Sequence, residues 1–89
     1  MRHHASRAFW AAYGKLPVHI RVLADKNFAL LKTDPHHPSL RLKSVGRYVS
    51  VRVGRHYRAL AKPVDVGLIW FWIGPHAEYD QLLKRSSSS

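Results

Sequence analysis

The sequence contains no cysteine, so disulfides and thiolate-bound zinc or iron–sulfur centres are excluded, and a fold this small must be held by packing or by a partner. It also lacks a long apolar stretch. Its most apolar run, Leu68 to Ile73, falls far short of the roughly 20 residues a membrane-crossing helix needs. The amino terminus, Met1 to Arg7, leads into an amphipathic segment rather than the apolar core of a secretion signal. A cytoplasmic protein without a membrane partner is expected. There is no glycine-rich phosphate loop, no Gly-x-Ser-x-Gly elbow and no zinc-protease motif, which sets aside common routes to nucleotide, ester and zinc-assisted chemistry. No cofactor is implied. The histidine pairs His3-His4 and His36-His37 are adjacent in sequence and so rarely aim at one ion, and no metal site is assigned to them.

Acidic residues are scarce: five Asp and Glu stand against fifteen Lys and Arg, a formal charge of +10. Such a surface attracts polyanions. From Pro35 to Val64 there is no carboxylate at all, while Arg41, Lys43, Arg47, Arg52, Arg55, Arg58 and Lys62 all fall there, with His36, His37 and His56. Scattered charge serves solubility, but a block of one sign on strands repels itself, and an anionic partner is the better explanation.

What is present in quantity is apolar and aromatic. Hydrophobic residues make up 46% of the chain, with three Trp, four Tyr and three Phe, enough to fold one domain and too little chain for two. That domain is expected over residues 1–85, with a flexible serine tail at 86–89. Ser6 is placed to cap a first helix carrying Phe9, Trp10 and Tyr13 as far as Gly14. Pro17 opens a second, in which Ile20, Leu23, Ala24, Phe28 and Leu31 recur at helical spacing until Asp34-Pro35. The period then changes to two. Leu40 and Leu42 alternate with Arg41 and Lys43, and Val49, Val51 and Val53 alternate with Tyr48, Ser50 and Arg52, as in half-buried strands. Gly54 to His56 makes a turn, Tyr57 to Lys62 a further strand, and Pro63 and Gly67 bracket a loop. Leu68 to Ile73, apolar on both sides, reads as a central strand covered on both faces. A short helix over about His76 to Lys84 follows, acidic early and basic late as the helix dipole prefers. An edge strand is possible at Arg2 to Ala5. The fold class is therefore α+β: an N-terminal helical hairpin on a twisted antiparallel sheet of three to five strands, with a short C-terminal helix.

This order of elements, with His37-Pro38-Ser39-Leu40, with Val51-Arg52-Val53-Gly54 through Tyr57-Arg58-Ala59-Leu60, and with Trp72 through Asp80, resembles the RelE/ParE superfamily of toxins from bacterial toxin–antitoxin pairs. The resemblance implies a helical hairpin on a sheet whose other, basic face meets the target, and a cognate antitoxin as partner. Two activities occur on that fold. RelE-like members are metal-independent endoribonucleases, or mRNA interferases, that cut messenger RNA in the ribosome; ParE-like members bind DNA gyrase and do no chemistry. A third possibility is a non-toxic nucleic-acid-binding domain of the same fold. The expected function is ribosome-dependent cleavage of mRNA, with gyrase inhibition as the alternative.

Cleavage through the ribose 2′-hydroxyl needs a proton acceptor, a proton donor and cations on the crowded phosphate. Arg58 follows Tyr57 as the phosphate-stabilising arginine does in RelE-like enzymes, and the resemblance assigns it to transition-state charge. Guanidinium suits phosphate because it is planar and stays charged. Arg52 is expected to position the phosphate, with Lys43 and Arg55 as further nucleic-acid contacts. His76 and Tyr79 are candidates for proton transfer or base stacking; the alternatives are that His76 caps the last helix and that Tyr79 packs on the sheet. Ala77 departs from the family pattern, since many RelE-like nucleases carry Arg or Lys directly after the Gly-His that ends the strand.

Overall fold

In the computed structural model, which describes residues 2–87, the chain runs β1 (Arg2–Ala5), α1 (Arg7–Gly14), α2 (Val18–Thr33), a 3-10 turn (Pro38–Leu40), β2 (Lys43–Val45), β3 (Tyr48–Val53), β4 (Tyr57–Val64), β5 (Gly67–Pro75) and α3 (His76–Ser87). Ser6 caps α1, its hydroxyl accepting from the Phe9 amide at 3.3 Å. Pro17 stands just outside α2 as its N-cap. Helix α3 outlasts the expected Lys84 by three residues, so Ser86 and Ser87 of the anticipated tail are helical, and the remainder of that tail lies outside the described residues.

One sheet forms in the order β1-β5-β4-β3-β2. Strands β2 to β5 are an antiparallel meander, as the alternation requires, but β1 pairs with β5 in parallel. The all-antiparallel expectation is thus corrected at the edge. A parallel pair needs a long crossover, and the whole α1-to-β4 segment supplies it. The strand expected from Leu40 also starts late. The Pro38 turn intervenes, the Nδ1 atom of His37 accepts from the Ser39 amide, and Arg41 takes a left-handed conformation at φ 47°. Strand β4, by contrast, runs through Pro63, which pairs with Leu68 beyond the end of β3. There the missing amide costs no ladder bond.

The main core lies between the helical hairpin and one sheet face. Leu16, Ile20, Ala24, Leu31 and Leu40 meet Val51, Val53, Ala59, Ala61, Leu68, Trp70 and Ile73. Helix α1 packs on β5 and α2 on β3, and the Tyr13 hydroxyl donates to Asp25 Oδ1 at 2.8 Å to tie the two helices. That bond pushes the Tyr13 phenol above its usual range, because it favours the protonated form. Phe28, expected in the stripe, is 42% exposed, with the His3 ring edge-on to it and the Lys32 ammonium 4.8 Å above it.

The other sheet face is only partly open. Helix α3 packs on β4 and β5, and Ser50, Leu60 and Tyr79 are buried outside the main core. Strand β5 is covered on the hairpin side and in part on the other, as its unbroken apolar run suggests. Its pairing slips between Leu60 and Ala61: Leu60 faces Trp72 and Ala61 faces Trp70, leaving Phe71 as a bulge. The bulge turns Phe71 and Trp72 both away from the hairpin, and the Phe71 ring meets Tyr48 at 5.2 Å. A bulge re-aims side chains in this way wherever one residue is inserted into a ladder.

Candidate nucleic-acid interface

The cationic row forms because paired residues share a face. Arg52 on β3 stands directly opposite Arg58 on β4, and Arg58 opposite Gly74 on β5. Two like charges opposed across strands repel unless an anion joins them. Arg52 is braced twice: its Nε–H donates to the Gly54 carbonyl at 2.7 Å, and the side-chain amide of Asn27 on α2 donates to its own carbonyl at 3.2 Å. Arg58 is half-buried, its guanidinium 6.0 Å from the centre of the Tyr79 ring. One of its terminal nitrogens, Nη1, is buried without a hydrogen-bond partner. Such a group costs free energy until an acceptor reaches it.

Lys43 lies on the same face, one strand over from Arg52 and two residues along, opposite Ser50 on the edge strand β2. Arg55 is in the exposed β3–β4 turn. That turn touches the start of α3, because the His56 carbonyl accepts from the His76 amide at 2.7 Å. The His76 ring is exposed, sits 3.2 Å from Asp80 across one helical turn, and lies 5.6 Å from the Tyr79 ring. Tyr79 is 4% exposed and packs beneath α3 against the sheet and Arg58. The fold therefore gathers Arg52, Arg58, His76 and Tyr79 into one place, with Lys43 and Arg55 at its two margins.

Two further groups lie near the site. Gly74 has no side chain because the Trp72 indole lies over it: a Cβ there would stand 2.5 Å from Cζ2 of Trp72. Asn27 reaches in from the hairpin side. Its signal is absent from any local pattern, whereas the His76–Asp80 pairing was readable from its spacing of four. Among the described residues no three His, Asp or Glu side chains cluster as a metal site requires, and no helix is long and apolar enough to cross a membrane.

The family model of the ParE-like toxin domain matches residues 19–81, which include every group of this site. The chain belongs to that family. It is a toxin of the RelE/ParE superfamily, and its α+β fold is the one found in solved toxin structures. The toxin is similar to the Methanococcus jannaschii protein in a RelB–RelE antitoxin–toxin complex, at 18% identity with a TM-score of 0.70 over 88% of this chain and 96% of that one. It is similar also to the isolated RelE toxin of E. coli, at 15% identity and a TM-score of 0.60 over 93% and 95% of the two chains. A copper-bound mutant toxin from Helicobacter pylori aligns at 14% identity with a TM-score of 0.62, over 88% and 97%. At such identities the likeness is one of fold. No curated protein matches this toxin's sequence.

Proposed function

We propose that this chain is the toxin of a toxin–antitoxin pair and that it inhibits translation by cutting messenger RNA on the ribosome. The observation that carries this reading is the Arg52–Arg58 pair, opposed across two strands. A phosphodiester supplies the charge that relieves the repulsion between the two arginines. In this mechanism Arg58 holds the charge that grows on the phosphate, while Arg52, Lys43 and Arg55 bind the backbone on either side. His76, exposed beside the pair and 3.2 Å from Asp80, exchanges the proton of the 2′-hydroxyl or of the leaving 5′-oxygen. The ring of Tyr79 fixes the guanidinium of Arg58 from below. The partner in the M. jannaschii complex supports an antitoxin for this chain as well, and a charge of +10 suits one with an acidic segment.

A second reading, inhibition of DNA gyrase without chemistry, is favoured by three features: the burial of Tyr79, the ParE-like family model, and Ala77 where many RelE-like nucleases hold a cation. Expression in cells separates the two. Cleavage halts protein synthesis first and leaves messages cut within codons; a gyrase poison breaks DNA while messages stay intact. Arg58→Ala is expected to lower cleavage on ribosomes by roughly 100-fold, the size of one lost transition-state contact, with a much smaller effect on ribosome binding. Early DNA breaks with normal translation overturn the cleavage reading.

A further inference from the structure

At the β5 end of the cationic row stands an aromatic side chain to which the mechanism above gives no part. Trp72 is the half-buried indole of the outer face, turned there by the bulge at Phe71. Its neighbour Phe71 is already engaged with Tyr48, and Trp70 is in the core at 4% exposure. Trp72 instead leans along its own strand onto Gly74, so close that a single methyl on that glycine would displace the ring.

We infer that Trp72 is a stacking platform for one base of single-stranded RNA, seated so that the phosphate beside that base falls on Arg58 and Arg52; this rests on the RNA-cleaving reading above. Two observations converge on it. Gly74 is the residue directly opposite Arg58, so the backbone under the indole and the backbone that carries Arg58 are one strand spacing apart, about 4.8 Å, and both side chains stand on the same face. Base and phosphate are likewise near neighbours within one nucleotide. Strand β1 stops at Ala5, opposite Trp70, so among the described residues no strand flanks β5 at Trp72 to Gly74, and a base has an open side from which to enter. Indole offers a broad π-face, and stacking on it is indifferent to base identity because every base has such a face. The platform thus adds affinity for unpaired bases without dictating sequence, and distinguishes single strands from duplex, whose bases are already stacked.

The test uses the full chain carrying Trp10→Phe, so that emission comes from Trp72 and the buried Trp70. The probes are a short single-stranded RNA oligomer at low salt and an abasic ribose-phosphate oligomer of equal length. RNA is expected to quench the emission and the abasic oligomer to leave it unchanged. Trp72→Leu should weaken RNA binding by roughly tenfold and leave abasic binding as it was, while Trp72→Phe retains most of the affinity. Gly74→Ala should reduce the quench with both arginines still present. The quench is read with Trp72 in place, so it does not depend on whether the Trp72 variants fold, and thermal melting checks those. If both oligomers bind equally well through Arg58 and no quench occurs, the platform is wrong and the RNA reading stands. If neither oligomer binds, both are wrong.

Discussion

Replacing Arg58 by methionine should make this toxin more stable while removing one of its contacts to anions. A buried donor without a partner, as Arg58 Nη1 is, costs about 1–3 kcal/mol. The directly opposed Arg52 adds roughly 0.2–1 kcal/mol of cross-strand repulsion. Against these, a guanidinium 6.0 Å from the Tyr79 ring returns about 0.5–1 kcal/mol. Methionine keeps the apolar stem and can set its sulfur against the same ring. The balance is a gain of about 1 kcal/mol or somewhat more, which in a domain of this size raises Tm by roughly 4–8 °C. Melting curves of the two proteins at low salt measure it directly. Adding an RNA oligomer gives a second comparison, because a ligand that binds only the folded state raises Tm: both proteins should rise, the variant by somewhat less, since Arg52, Lys43 and Arg55 remain. A variant that melts below the parent would refute the reasoning, since it would mean that Arg58 is bound within the fold rather than held ready for an anion.

Affinity for RNA or ribosomes should fall steeply between about 50 and 200 mM salt, as release of counterions from several phosphates demands; a flat response in a filter-binding titration removes the cationic face from the argument. Stability should also depend on His3, whose Nδ1 accepts from the Trp70 indole N–H at 3.0 Å. Burial first, then the N-terminal ammonium and Lys32, hold its pKa below the ordinary 6.5. The unfolded chain therefore takes up the proton more readily, and the stabilisation is whole above that ordinary value and lost as pH falls through the lowered one. Urea midpoints measured from pH 7.5 to 5 should show this slope, and His3→Gln should flatten it. Gly54→Ala should cost about 1–2 kcal/mol by urea denaturation, since Gly54 has φ +65° and a Cβ there would stand 2.8 Å from Cδ2 of Leu23; an unchanged midpoint rejects the account.

Much of this toxin's fold is written in local patterns. The Ser6 cap, the apolar stripe of α2, the alternation along β3 and the turn at Gly54 each depend on neighbours a few residues away, so period and turn chemistry were enough to place them. The scarcity of carboxylates from Pro35 to Val64 made the sign of the surface legible because charge is a property of composition. Where non-local effects dominate, the pattern misleads. The alternation at Leu40 to Lys43 looked like a strand, but Pro38 and the left-handed Arg41 made a 3-10 turn of part of it. Pro63 looked like a strand end, yet it continues β4 because its missing amide falls beyond the reach of β3.

The sequence by itself determined the helices and the meander, the sign of the surface and the residue types available for chemistry, since these follow from spacing and composition. Tertiary structure alone decided which of those residues meet. Strand register set Arg52 against Arg58 and Arg58 against Gly74, and the Phe71 bulge turned Trp72 to the outer face. The packing of α3 buried Tyr79 and left Arg58 one acceptor short. Register is a choice among pairings whose local patterns are nearly alike, and only burial of the whole apolar face at once selects one of them.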